Sequence, residues 1–352
     1  MRFFHIADVH LGVKPDQDFP WSRDRGREIW NSFRKVIEQA GREHADLFLI
    51  AGDLFHRQPL MRELREVNAL FSSIPDTRIV LIAGNHDYAG SDSPYKKFPW
   101  APNVFGLWNR GISYVDFPEL ETRVWGGSYD RREIKEPLYD RLRASGEMPV
   151  EILLAHGGDE RHIPMSMERL AGAGFAYIAL GHIHKPQEFF GGRIAYGGAL
   201  EPVDKQDTGP HGYRKGEIRG NSFSSVFCPS SLREYRELDI ELKKSTSQYT
   251  LEKAVEKAIR ESGQQHMYRL VLTGEKALDM ELSYEDLYEL GRVVKVEDRT
   301  RPAYSEEQLC SMYPNSILEE YIKSMSGKDG EKEKKALAYG IRALLESGEG
   351  LL

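Results

Sequence analysis

Seven residues of metal-ligand type fall in five short clusters, and each cluster directly follows an apolar run. The runs are residues 2–7, 46–51, 78–83, 151–155 and 175–180. The clusters are Asp8-Val9-His10, Gly52-Asp53, Gly84-Asn85-His86-Asp87, His156-Gly157 and Gly181-His182-Ile183-His184. Asp8 and His10 are two residues apart, so in an extended segment they share one side. Asp8, His10, Asp53, Asn85, His156, His182 and His184 together offer oxygen and imidazole nitrogen but no sulfur. Such a donor set takes manganese, iron or zinc. A single four-coordinate zinc uses three or four protein ligands. Seven donors therefore point to two divalent cations with a carboxylate between them. Two cations side by side clamp the attacking and leaving oxygens of a phosphoryl displacement and acidify a bound water. His86 adjoins one ligand, and imidazole chemistry suits proton transfer near neutrality. An Asp-x-His or a Gly-Asp is commonplace when it stands alone. The common placement of all five clusters after strand-like runs is what carries the reading.

These clusters need a scaffold that brings them to one place. The five runs are short, aliphatic and closed by polar or glycine turns, which predicts buried strands. In α/β sheets, sites form at the carboxyl ends of strands, where loops can converge. Ile29, Trp30, Phe33, Val36, Ile37 and Ala40 recur at helical spacing before Gly41, as do Leu64, Val67, Leu70 and Phe71 before Pro75. The alternation of strand and helix predicts a layered α/β core. Residues 104–125 alternate less regularly and predict further, partly antiparallel strands. Residues 197–221 read as an ordered but irregular loop.

A strand over 236–242 closes a first domain of residues 1–242. After a polar linker at 243–248 comes a small α+β unit, residues 249–304. Its helix carries Leu251, Val255, Ala258 and Ile259, and strands over 268–273 and 292–296 flank a helix near 284–290. The tail, 305–352, is helical. Ser316 and Glu319 make a capping box before a stripe of Ile317, Leu318, Tyr321, Ile322 and Met325. A charged linker over 327–335 precedes a second stripe of Leu337, Ile341, Leu344 and Leu345.

Composition narrows the classes. The 352 residues are 40% hydrophobic and 29% charged, the balance of a globular protein of about two domains. Lys and Arg number 48 against 55 Asp and Glu, a net charge of −7. That disfavours a protein that coats DNA, whose affinity comes from neutralising phosphates. Two divalent cations would add about +4 where a phosphate must dock, which weakens the objection locally. The two cysteines, Cys228 and Cys310, have no C-x-x-C spacing, and no run approaches a membrane span. With no secretory leader legible at the start, a cytoplasmic location is the expectation. His5, His44, His162, His211 and His266 lack ligand spacing and are expected to be structural or exposed.

The motif set, in this order over residues 1 to about 200, resembles the calcineurin-like metallophosphoesterases. The resemblance implies a two-sheet αββα sandwich. It implies that Asp8, His10, Asp53 and His184 hold one metal and Asp53, Asn85, His156 and His182 the other, with Asp53 bridging. Manganese is the first expectation, with iron or zinc as alternatives. His86 would protonate or stabilise the leaving oxygen. Many members carry an Asp three residues after the bridging Asp to orient that histidine. Here the position is His56, leaving Asp87 as a substitute.

Ile6-Ala7-Asp8-Val9-His10-Leu11-Gly12 and Gly52-Asp53-Leu54-Phe55-His56 are similar to the DNA-repair nucleases of the SbcD type. So are Gly197-Gly198-Ala199-Leu200-Glu201-Pro202 and His211-Gly212-Tyr213, and residues 269–275 resemble that group's capping domain. This implies an exonuclease or endonuclease subunit acting on DNA ends, as a homodimer. It also implies an SMC-like, SbcC-type ATPase gripped by the C-terminal helices. Arg23, Arg25, Arg27, Arg57 and Lys185 are candidates for tracking phosphates, with Phe19 and Trp21 available to stack on a base. Two other classes fit the same motifs: a small-molecule or cyclic-nucleotide phosphodiesterase, and a metal-bearing scaffold subunit without turnover.

Overall fold

The computed structural model describes every residue except 110, 221, 277–281, 304, 329 and 348–352. Two compact units divide the chain, Met1–Tyr235 and Arg236–Leu352.

In the first unit the order is β1 (Arg2–Ile6), α1 (Ser22–Arg42), β2 (Leu47–Ala51), α2 (Met61–Ser72), β3 (Arg78–Ile82), α3 (Pro94–Lys97) and β4 (Val104–Gly106). There follow β5 (Ser113–Phe117), β6 (Thr122–Gly126), β7 (Val150–His156), α4 (Met167–Ala171), β8 (Tyr177–Gly181), β9 (Gln187–Phe189) and β10 (Ile194–Tyr196). Two long strands, β11 (Gly212–Arg219) and β12 (Ser222–Pro229), complete it. Strand β11 lies where the sequence reads as an irregular loop, 197–221, and β12 just after it. Their pattern of glycine, charge and serine hides a hairpin whose inner strand borders β1.

The strands form two six-stranded sheets, ordered β12-β11-β1-β2-β3-β4 and β5-β6-β7-β8-β10-β9. In the first, β1 to β4 run parallel. In the second, β6, β7, β8 and β10 run parallel, with antiparallel β5 and β9 at the edges. Strand β2, Leu-Phe-Leu-Ile-Ala, is buried throughout, as expected of a strand covered on both faces. Its alternation sorts the layers. Leu47, Leu49 and Ala51 join Val80, Val124, Ile152, Leu154 and Ala179 in the core between the sheets. Phe48 and Ile50 point the other way, onto Ile29, Phe33, Ile37, Leu64, Val67 and Phe71 of α1 and α2. The outer face of the second sheet packs Leu153, Ala155, Ile178 and Leu180 against Tyr129, Tyr139, Ile163 and Leu170. That layer is short helix and loop rather than long helices.

The second unit starts with β13 (Tyr235–Leu242), then α5 (Gln248–Ser262), β14 (Met267–Lys276), α6 (Tyr284–Glu289), β15 (Val293–Asp298) and β16 (Arg301–Pro302). The helices α7 (Glu306–Met312), α8 (Ile317–Met325) and α9 (Glu331–Ser347) end it. Strand β13 pairs with β14, so it belongs to this unit, and the division falls at 235 rather than at 242. Leu251, Val255 and Ile259 of α5 cover Ile240, Leu242, Leu270 and Leu272. Helix α9 begins at Glu331, inside the stretch read as a linker, and Ile341 packs with Leu309, Leu318 and Ile322. The tail is thus one small helical cluster, not a helix detached by a long tether. Among the described residues no helix is long and apolar enough to cross a membrane.

Candidate metal centre

All seven ligand-type residues lie at or just beyond the carboxyl ends of parallel strands. Asp8 and His10 follow β1, Asp53 follows β2, Asn85 follows β3, His156 ends β7, and His182 and His184 follow β8. Backbone hydrogen bonds lace these loops together. The N–H of Asp8 donates to the Gly52 carbonyl at 3.2 Å and that of His10 to the Asp53 carbonyl at 3.0 Å. The His86 N–H donates to Asp53 Oδ1 at 2.9 Å, and the His182 N–H lies 3.0 Å from both carboxylate oxygens of Asp8.

The backbone is strained to achieve this. Asp8, His10, Asp53 and His182 have φ of 50°, 51°, 49° and 99°. Such conformations cost roughly 1–3 kcal/mol each for non-glycine residues and persist where surrounding structure fixes them. Two glycines permit the crowding. A Cβ on Gly84 would come 2.2 Å from Asp53 Oδ1, and one on Gly52, at φ 86°, would come 2.5 Å from His156 Nδ1.

The side chains converge around Asp53. Its Oδ2 is 3.4 Å from His156 Nε2 and 3.9 Å from His10 Nε2. His10 Nε2 faces His184 Nε2 at 3.0 Å, while Asn85 Oδ1 faces His156 Nε2 at 3.0 Å and His182 Nδ1 at 3.3 Å. Ligand atoms of Asp8, His10 and His184 lie within 4.8 Å of one another, as do those of Asp8, Asp53 and His156. Asp8 is common to these two groups, while His182 groups with Asp159 and His162, and His10 also with His56 and His86. The donors suit divalent cations: His156 donates Nδ1–H to the Ala51 carbonyl at 2.8 Å, which leaves Nε2 as the nitrogen aimed inward.

Electrostatics separates the two central carboxylates. Burial pushes Asp8 up to about 6, despite the neighbouring His156 and His184. Burial acts in the same direction on Asp53, but the charges of His156 and His10 and the hydrogen bond from His156 outweigh it and hold this carboxyl well below its usual range. Burial pulls His182 down to about 4, with His156 adding to the effect. Asp53 is thus a buried acid that stays ionised among imidazoles, the form in which a carboxylate can hold a cation.

His86 sits at the rim, half-buried. Its Nδ1–H donates to the backbone carbonyl of His56 at 3.1 Å, and the two rings stack with centroids 5.0 Å apart. The His56 ring also approaches His10, Nδ1 to Nδ1 at 3.4 Å. His56 thus orients His86 through its main chain and braces a ligand through its ring. The expectation that Asp87 orients His86 is wrong. Asp87 is fully buried and accepts hydrogen bonds from the Gly84 N–H at 2.8 Å, the Phe55 N–H at 3.0 Å and the Tyr95 hydroxyl at 2.6 Å. It ties the Asp53 and Asn85 loops together.

The candidate phosphate contacts sort differently. Arg25 is fully buried, bonded to Glu28 at 2.9 Å and to the Pro202 carbonyl at 2.6 Å, so it is a structural residue and no DNA contact. Arg57 is committed to both carboxylate oxygens of Glu63, at 3.0 and 2.8 Å, and Arg27 to Asp24 at 2.7 Å. Arg23 and Lys185 are exposed. Phe19 and Trp21 stack on each other at 4.5 Å, with the Lys205 ammonium 5.5 Å from the Phe19 ring.

Three site residues escaped the sequence reading. Asp207 takes His184, and Asp159 takes His182 together with His162. No fixed spacing links a carboxylate to the outer nitrogen of a distant histidine, so only the fold reveals these pairs. The density of charge over 204–210 was the one hint.

A buried Asp/His/Asn centre at the carboxyl ends of two facing sheets defines a metallophosphoesterase, and the chain belongs to the calcineurin-like phosphoesterase family, whose model matches residues 1–186. Among its relatives is the metallophosphoesterase YhaO of Bacillus subtilis, 28% identical over 301 residues, covering 78% of this chain and 72% of that protein. The DNA double-strand break repair protein Mre11 of Methanocaldococcus jannaschii is 27% identical over 271 residues, covering 70% and 71%. A subunit of the nuclease SbcCD from Rhodobacter capsulatus is 25% identical over 279 residues, covering 63% and 67%.

Proposed function

We propose that this chain is a two-metal phosphodiesterase that cleaves DNA at its ends, as the nuclease subunit of a DNA-repair complex. The observation that carries this is Asp53, a buried carboxylate whose Oδ2 lies between His10 Nε2 at 3.9 Å and His156 Nε2 at 3.4 Å, with His86 at the open rim. Asp8, His10, Asp53 and His184 would hold one cation and Asp53, Asn85, His156 and His182 the other. Bound there, two divalent ions, manganese first among them, supply positive charge for a phosphate and an acidified water as nucleophile. The chain's own residues do the rest. The strained loops after β1 and β2 fix the donors before substrate arrives. His86, with Nδ1 tied to the His56 carbonyl, presents Nε2 as the atom that holds or gives a proton to the leaving oxygen. Exposed Arg23, Lys185 and Lys205 and the Phe19–Trp21 pair supply charge and a flat aromatic surface for a nucleic-acid strand.

The second unit supports the nuclease reading over a small-molecule one, because hydrolysis of a cyclic nucleotide needs no such appendage. Its helical tail leaves Ile317 56% and Tyr339 72% exposed. That apolar surface suits an SMC-like, SbcC-type ATPase, and the working form would be a homodimer. The test is nucleotide release from a linear duplex with manganese. Release that is lost in His86→Ala is the expected result. Hydrolysis of cyclic nucleotides with no action on DNA would replace the proposal with the small-molecule reading.

A further inference from the structure

Resting on the metal-centre function proposed above, we infer that Asp207 and Asp159 are positioning residues, each fixing the tautomer of one histidine of the His182-Ile183-His184 motif. The two imidazoles face the centre through different atoms. His184 turns Nε2 inward, 3.0 Å from His10 Nε2, and its Nδ1 outward to Asp207, 3.1 and 3.0 Å from Oδ1 and Oδ2. His182 does the reverse, with Nδ1 inward, 3.3 Å from Asn85 Oδ1, and Nε2 outward, 2.7 Å from Asp159 Oδ2. A carboxylate can only accept, so each outer nitrogen must carry the proton. In the neutral ring the inner nitrogen is then the one with the free lone pair, the form that ligates. One dipeptide step therefore sends two histidines to the two half-sets in opposite tautomers, and two separate loops enforce the choice.

The two carboxylates are not equally well built. Asp207 is 12% exposed and also accepts the Val203 and Asp204 N–H groups, each at 3.0 Å. Asp159 is 47% exposed and divides itself between His182 and His162, whose Nδ1 lies 2.8 Å away. A buried partner, less screened by water, is the stronger brace.

An amide tests this sharply. In Asp207→Asn the oxygen that keeps the Val203 and Asp204 amides stays 3.0 Å from His184 Nδ1, but the NH2 replaces Oδ1 at 3.1 Å and the charge is lost, which weakens the hold on the outer proton. Asp159→Asn turns its NH2 to His182 Nε2 and favours the proton on the inner nitrogen, which cannot ligate, with the Arg161 and His162 amides kept on the oxygen. The experiment is calorimetric titration of the whole, metal-free chain with manganese, alongside thermal melting of the metal-free proteins. Wild type is expected to bind two ions. Asp207→Asn should weaken one of them roughly 10–100-fold and Asp159→Asn the other by about tenfold, with melting temperatures unchanged in the absence of metal. Two wild-type ions whose affinities neither variant alters would overturn the tautomer role. So would losses that accompany a fall in metal-free melting temperature, which mark a structural role. A third wild-type ion that vanishes in Asp159→Asn would also overturn it, by making Asp159, His162 and His182 a cation site of their own. No ion bound by wild type would instead sink the two-metal function itself.

Discussion

The two units of this chain bury different things. In Met1–Tyr235 the buried set includes Asp8, Asp53, Asp87, Glu201, Arg25, Arg214, His5, His10 and His156. In the second unit, among the described residues, the buried polar side chains are His266 and Ser316. Its ion pairs, such as that of Arg269 with Glu297, stand at the surface. Taking a charge out of water is costly unless it is paired, so a fold that buries many is organised around something other than its own stability. The second unit is assembled mainly from apolar stripes. The first carries, in addition, strained backbone at Asp8, His10, Asp53 and His182 and a carboxyl held ionised among imidazoles. The contrast teaches where chemistry resides, and four changes should break or sharpen it.

The largest effect belongs to Asp53→Asn, which should lower manganese-dependent phosphodiester hydrolysis by roughly 10³-fold or more and reduce the metal bound per chain. The matching acid-to-amide change in the second unit, Glu297→Gln, should alter the rate by less than about twofold. Steady-state assays with metal analysis of both proteins make the comparison. Next, if His86 transfers a proton as proposed, His86→Ala should cost about 10²–10⁴ in rate with two ions still bound. A fall in metal content equal to the fall in rate would move His86 into the ligand set.

The third change concerns acid. Burial, helped by Arg214, lowers His5 to about 3 from an ordinary 6.5, and its ring is paired with the Tyr177 hydroxyl at 2.8 Å. The unfolded chain therefore binds a proton below 6.5 that the folded chain refuses down to about 3. Stability present above pH 6.5 should be lost as pH falls through that window, by at most about 1.4 kcal/mol per unit from this group. Urea unfolding of His5→Gln between pH 7 and 4 should show a shallower slope than wild type. An equal slope would show that His5 is not the source. The smallest effect on chemistry is expected at the tail. Ile317→Asp with Tyr339→Asp should leave hydrolysis within about twofold while abolishing co-purification with an ATPase partner. A tail that held no partner would leave co-purification unaltered too.

The contrast also explains what the residues could tell in advance. The first unit's strands were legible because continuous apolar runs ended in ligands, two independent signals at one place. Helices α1 and α2 were legible from spacing. Strand β11 was not, because its Gly212-Tyr213-Arg214-Lys215-Gly216 sequence looks like a loop, and its burial is set by β1 beside it. Strand β13 was legible as a strand but not as a member of the second unit, since pairing partners leave no local mark. The seven convergent donors could be picked out from type and placement. The outer partners Asp159, Asp207 and His162 could not, because each acts across loops that only tertiary structure brings together. Arg25 misled for the opposite reason: its arginine neighbours suggested a phosphate track, whereas Glu28 and the Pro202 carbonyl had already claimed it.

The central claim is that Asp53 joins two cations in one centre. Electron paramagnetic resonance of the chain loaded with two equivalents of manganese tests it most directly. A spin-coupled pair signal that collapses to isolated ions in Asp53→Asn is the predicted result. Two uncoupled manganese ions in the wild-type chain would contradict it.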